Sequence, residues 1–244
     1  MPSLHSALRP LAPLALALAT TAGAQQRTHG HAWLNWFGDH ALGGGNSLYV
    51  ELSARRADLG ATWQQQVVGL GLARRVVGSY RATVTLIGQR SFPYVDGAGG
   101  NRVDEVRPWV QLQGQRMLAG TSRSGWQWAD RSRLELRWQR ADVPFDVEGD
   151  WRNSWRVRRQ DRVTRQFANG WYAGASQEWF VGALPWAGGR VVEQSRTSLL
   201  AGRPLSPTLR AEAGYMLQWL GRPGGAEEFN HTLVISFRSN AAFR

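Results

Sequence analysis

The chain has 244 residues, with 29 basic residues, all of them arginine, against 18 carboxylates, a formal net charge of +11 and no cysteine. The missing cysteines exclude a disulfide framework. The arginines are spread along alternating positions instead of gathered in a run or on one helix face, which argues against a nucleic-acid footprint.

Residues 1–24 read as a secretory signal peptide: a short start with Arg9, an apolar run from Leu11 to Ala19, and Ala22-Gly23-Ala24 before Gln25. The apolar run is about half of the roughly 20 residues a spanning helix requires. The mature chain, 25–244, is expected to be one domain. It holds no second apolar stretch of spanning length, so a membrane form would have to be a closed barrel.

"HAWLNWFGDH" at 31–40 is the first candidate strand. From residue 46 onward ten more segments follow, and five show clear period-two alternation, the strand period. In 48–55, Leu48, Val50, Leu52 and Ala54 alternate with Tyr49, Glu51, Ser53 and Arg55. In 80–89, Tyr80, Ala82, Val84 and Leu86 alternate with Arg81, Thr83 and Thr85. In 105–113, Val106, Pro108, Val110 and Leu112 alternate with Glu105, Arg107, Trp109, Gln111 and Gln113. "RSRLELRW" at 131–138 sets Ser132, Leu134, Leu136 and Trp138 against Arg131, Arg133, Glu135 and Arg137. In 208–219, Leu209, Ala211, Ala213, Tyr215, Leu217 and Trp219 alternate with Arg210, Glu212, Gly214 and Gln218. Segments 62–73, 151–163, 170–181, 190–203 and 229–237 alternate more weakly, and in 190–203 both faces are mixed.

The longer connections fall near 91–104, 141–150, 182–189 and 221–228, and the shorter ones near 74–78, 118–123, 164–169 and 204–207. That alternation of short turns and long loops is the habit of bacterial outer-membrane barrels. The segments are long for a soluble sandwich, several end on aromatics, and the faces opposite the apolar ones carry Arg, Glu, Gln, Thr and Ser. Thirteen tryptophans suit a protein with two membrane–water interfaces. The expected fold is therefore all-β, an antiparallel up-and-down transmembrane barrel of about ten strands, with twelve as the alternative. Residues 31–40 would make an odd eleventh strand, which predicts that they lie at the rim or in the lumen unless the count is twelve.

Taken together, "AWLNWF", "RSRLELRW", "QEWF" at 177–180, "EQSRTSLLAGRPLSP" at 193–207, "AEAGYMLQW" at 211–219 and "NHTLVISF" at 230–237 resemble the bacterial family called domain of unknown function 2490. The resemblance spans the mature chain through diffuse strand patterns. It implies an outer-membrane barrel of a Gram-negative bacterium without an established activity, facing outer-membrane lipid and folded by the barrel-assembly machinery. Barrels of this kind commonly end on an aromatic residue. Here Phe237 closes the last strand pattern and Phe243 precedes the final Arg244, so either is a candidate assembly signal.

The polar positions predict a lumen lined by Glu51, Arg81, Arg107, Arg131, Arg133, Glu135, Arg137, Arg156, Arg158, Glu178, Arg210 and Glu212. Two readings of that set stand: an arginine-rich passage that favours anions, or a ladder of arginine–carboxylate pairs filling a narrow barrel. No catalytic, cofactor or metal residue is assigned. His231 with Ser236 is available for a hydrolase acting on lipid, but their spacing fixes no triad. His29 and His31 make at most half a metal site. The function expected is thus a structural barrel or narrow passive pore, against the alternatives of a lipid-acting hydrolase and a secreted, soluble, basic β-sandwich. Oligomeric state is left open.

Overall fold

The alternating segments form strands that pair edge to edge into a single sheet. The structure, a computed structural model, describes residues 26–94, 101–122, 124–143, 147–148, 150–183, 192–221 and 226–242. Residues 1–24, expected as a signal peptide, and Phe243 lie outside these residues.

Strands β1 (Gln26–Gly43), β2 (Asn46–Ala57), β3 (Thr62–Val77), β4 (Tyr80–Ser91), β5 (Val103–Gly120) and β6 (Gly125–Val143) are followed by a two-residue ribbon, β7 (Val147–Glu148). Then come β8 (Arg152–Gln166), β9 (Tyr172–Ala183), β10 (Val192–Ser206), β11 (Leu209–Gly221) and β12 (Glu227–Ser239). Each pairs with its neighbour in the sequence apart from the ribbon, which only extends the end of β6. Pairing of β5 with β6 and of β1 with β12 closes the sheet into an eleven-strand barrel. A two-sheet sandwich is thereby excluded.

All ten segments expected as wall strands are present. The eleventh, 31–40, is neither at the rim nor in the lumen: it is the middle of β1, a full member of the wall. An odd number of up-and-down strands cannot close with antiparallel pairs alone, and the seam between β1 and β12 is parallel, running from Gln26↔Glu227 to Gly38↔Ser239. The first strand therefore begins at the long-loop end and the last one finishes at the short-turn end. Between β1 and β2 the chain reverses on Gly43, Gly44 and Gly45, all with positive φ, a run that only glycine adopts without strain.

Burial is inverted relative to a soluble protein. On β12, Asn230, Thr232 and Ser236 are buried while Leu233 and Ile235 are exposed. The same holds on β4, where Thr83 and Thr85 are inside and Val84 and Leu86 outside. The apolar content of the interior is small, chiefly Val67, Ile87 and Trp109 with Tyr49 against them.

The stagger of the strands fixes heights on the wall. Following paired residues around the barrel from Ala41 through Ser47, Ala73, Thr83, Gln111, Arg133, Arg158, Phe180, Gln194, Leu220 and Glu228 returns to β1 at Arg27, 14 positions away. That shear corresponds to strands tilted by about 40°. Corrected for it, outward Ser132 on β6 stands level with Val110, Val84, Leu70 and Leu52 in one direction. In the other it is level with the Arg159–Asp161 stretch of β8, Gln177 and Leu199. Six residues above Ser132 on β6 is Trp138, with Trp63, Trp155, Trp219 and Phe229 at a similar height. Six below is Trp126, near the level of Phe167 and Trp171. Trp126 and Trp138 are 12 positions apart on one strand, so the upper aromatic ring and the lower aromatic cluster of Trp126, Phe167 and Trp171 are separated by about 30 Å along the barrel axis.

Candidate functional site: the charged lumen

The site is the barrel interior, positioned by the strand pleat: residues two apart on β2, β5, β6, β8 and β9 project into one enclosed space. Glu135 on β6 has no solvent exposure and sits at the centre of it. It accepts hydrogen bonds from Arg156 Nε (2.8 Å) and Arg158 Nη1 (2.8 Å), both on β8. Arg133 on β6 and Arg107 on β5 approach the same carboxylate at 3.5 and 3.9 Å. Glu178 on β9 receives Arg158 through Nε (3.0 Å) and Nη2 (2.8 Å), and Arg131 through Nη2 (2.7 Å). Arg137 is held by Glu105 in a bidentate fork, with both contacts at 2.8 Å. Such forks fix the guanidinium plane as well as its position.

Of the twelve residues expected to face the lumen, Glu51, Arg107, Arg133, Glu135, Arg156, Arg158, Glu178 and Glu212 are buried within the barrel. Arg131 and Arg137 are partly buried in the ion pairs just given. Arg81 is partly buried at the short-turn end, paired with Asp39 and hydrogen-bonded to Ser47. Arg210 stands apart, exposed near the rim at the start of β11.

Several interior residues fall outside that expected set. Glu105 shares the inward face of β5 with Arg107, so its alternation was available as a signal. Glu193 pairs with Arg156 at 3.2 Å, and Arg196 approaches Glu178 at 3.8 Å. Both lie on β10, whose faces are scrambled in the sequence by a bulge between Val192 and Gln194. Interior aromatics were also missed. Arg133 stacks on Trp109 at 3.8 Å, and Trp33 carries Arg55 at 4.1 Å and Arg196 at 5.0 Å. Planar guanidinium groups on ring faces let arginine sit among apolar surface. Among the described residues Arg55 has no carboxylate in ion-pair range; it donates to Ser53 and Gln65.

A cavity of about 1180 Å³ occupies this interior. Its lining starts at Glu227 and Asp150 at the long-loop end, includes Trp33, Arg55 and Arg133, and reaches Arg238 just below mid-height. There Glu212 accepts from Arg162 (2.8 Å), Arg238 (3.1 Å) and the Tyr172 hydroxyl (3.2 Å), tying β8, β9, β11 and β12 together across the space.

The histidines do not assemble a reaction centre. His231 projects outward and contacts the Tyr215 hydroxyl (2.6 Å), whereas Ser236 is buried inside, where it accepts from Asn35 (3.2 Å). The two lie on opposite faces of β12, which removes the hydrolase pairing. His29 and His31 share a face of β1 with ring centroids 6.3 Å apart. Among the described residues no three His, Cys, Asp or Glu side chains are grouped to hold a metal.

These features define a closed β-barrel with a predominantly apolar exterior and a charged, ion-paired interior. A family model described as "Protein of unknown function (DUF2490)" matches residues 30–230, and the chain belongs to that family. Among solved structures it is similar to one described as "NanC porin structure in rhombohedral crystal form", with 14% identity, 78% of this chain and 84% of that chain covered, and a TM-score of 0.45. No curated protein matches the chain.

Proposed function

We propose that this protein is an outer-membrane β-barrel serving as a narrow passive pore with an arginine-rich lumen. One observation carries the reading: an exposed, predominantly apolar band, interrupted by polar side chains on β6, β8, β9 and β10, lies between two aromatic levels about 30 Å apart, the height of a hydrocarbon core. Leu70, Val84, Val110 and Leu134 are exposed within it, and only lipid makes such a surface favourable. The short turns would face the periplasm and the long loops the outside, as bacterial barrels are built. The first strand would then start on the outer side.

The lumen supports restricted passage. Its ion pairs are bidentate and shared, so the wall at mid-height is filled by cross-linked side chains. In the vestibule above them, among the described residues, Arg55 has no carboxylate within ion-pair distance, and Arg133 and Arg196 hold theirs at 3.5 and 3.8 Å. Such walls favour anions over cations. The reading assigns no catalytic step, cofactor or metal, and nucleic acid is not among its partners.

The test is conductance in a planar bilayer across a salt gradient, using protein refolded from detergent. Small, discrete steps with a reversal potential on the anion-selective side are expected. A barrel that inserts but conducts nothing, even after Arg238→Ala opens the Glu212 cluster, would leave only a structural role.

A further inference from the structure

The outer wall is not uniformly apolar. At the level of Ser132, midway between the aromatic rings, β6, β8, β9 and β10 present a connected polar patch made of Asp130, Ser132, Arg159, Asp161, Gln177 and Thr197. Arg159 donates to Asp130 (3.0 Å), Ser132 (3.0 Å) and Asp161 (2.9 Å), and Thr197 donates to Gln177 (2.5 Å). The Arg159 and Asp161 side chains remain 42% and 45% exposed. At the same height on the opposite wall stand Leu52, Leu70, Val84 and Val110, all exposed aliphatics. Exposed Leu199 on β10 and Ile235 on β12 continue the aliphatic surface beyond the patch, so most of the circumference is fit for lipid while one sector places an ion pair where lipid tails would lie, the costliest depth for charge on a barrel exterior.

We infer that this patch is the interface with a second copy of the same chain. The inference rests on the membrane-spanning reading, because in water a half-exposed ion pair needs no partner. The occupant follows from the charge pattern. Arg159 and Asp161 have opposite signs, lie two residues apart on one strand and face the same way. A two-fold axis along the membrane normal and passing between them brings the two Arg159–Asp161 pairs together near one depth, each guanidinium within reach of the other copy's carboxylate, so that the same surface meets itself, as isologous interfaces require. Below the patch, the outward positions Ala173, Ala175 and Ala201 are small, which lets two walls approach closely there, as small residues do between membrane segments, with Leu199 and Trp179 as the large exposed neighbours. Lipid offers neither complement, and an unrelated protein would need a matching pair of charges at the same depth.

The absence of cysteine from the chain makes a single introduced thiol diagnostic. Gln177→Cys and, on the opposite wall, Leu70→Cys are expressed with the intact chain, and membranes are treated with a short bis-maleimide. We expect a covalent species of twice the chain mass for Gln177→Cys and none for Leu70→Cys, and a two-copy mass for the unmodified protein in mild detergent. Arg159→Asp should reduce the two-copy fraction several-fold, and adding Asp161→Arg to it should restore that fraction. A one-copy mass with no product at position 177, or a product joining a different polypeptide, overturns the inference. Heat-modifiable gel mobility in the membrane fraction is scored in the same samples, so its loss reports failure of the membrane reading itself.

Discussion

Arg158 bridges two buried carboxylates on different strands, reaching Glu135 on β6 with Nη1 at 2.8 Å and Glu178 on β9 with Nη2 at 2.8 Å. The guanidinium thus ties three consecutive wall strands together from the inside. Because the pair is buried, its Coulombic gain is set against desolvation, but removing one partner leaves the others without compensation. Glu135→Ala should therefore cost about 3–5 kcal/mol, since Arg156 and Arg158 both lose their main acceptor. A urea midpoint measured on the detergent-folded barrel checks this, and an unchanged midpoint would mean that lumen water replaces the carboxylate.

On the outer face, the proposed membrane setting makes its own prediction for the same strand. Leu134 is 43% exposed and lies two residues above the mid-height Ser132. Leu134→Arg is expected to destabilise the inserted barrel by about 2–4 kcal/mol, read as a loss of heat-modifiable protein in the membrane fraction. The reverse exchange above the upper aromatic level, Arg140→Leu, should cost the inserted barrel much less, including the loss of its stacking on Trp151. Equal effects at both positions would contradict the assigned depth.

The parallel seam has its own signature. Trp36 on β1 and Phe237 on β12 are register partners whose ring centroids lie 6.1 Å apart on the outer wall. A double-mutant cycle with Trp36→Ala and Phe237→Ala should give a coupling energy of about 0.5–1.5 kcal/mol. If Phe237 is also the assembly signal, Phe237→Ala lowers the yield of folded barrel in cells more than Trp36→Ala does, while both refold equally well from detergent. Equal yields in cells would place that signal elsewhere.

Selectivity should respond to the vestibule arginine that lacks a close carboxylate. Arg55 stacks on Trp33 in the vestibule without a carboxylate partner among the described residues. Arg55→Glu is expected to move the reversal potential toward cations while leaving heat-modifiable mobility intact. An unmoved potential would show that the vestibule does not set selectivity.

Much of this architecture is legible in the sequence, because a period of two survives wherever one face meets lipid and the other a polar interior. "RSRLELRW" gives both faces of β6, Glu135 itself and three arginines that share the lumen with it. The parallel closure was not legible: alternation tells which face a residue takes but not the direction of the neighbouring strand, so β1 was left without a place. Strands also run longer than their alternation. From Gln115 to Gly120 both faces of β5 are exposed, since hydrogen-bond pairing with β6 continues past the apolar band where no face is selected. The weak pattern in 151–163 has a physical source as well. Arg159 and Asp161 put charge on the outer face of β8 while Arg156 and Arg158 fill the inner one, so the two faces look alike. That weakness was itself the visible trace of the outer polar patch.

The measurement that tests the central claim most directly is expression of the full chain in a Gram-negative host, followed by fractionation and gel electrophoresis with and without boiling. The account predicts a product in the outer-membrane fraction whose mobility shifts on heating, because a closed barrel resists detergent until it is heated. A soluble periplasmic product that runs identically in both lanes would contradict it, since the exposed aliphatic band could not then be facing lipid.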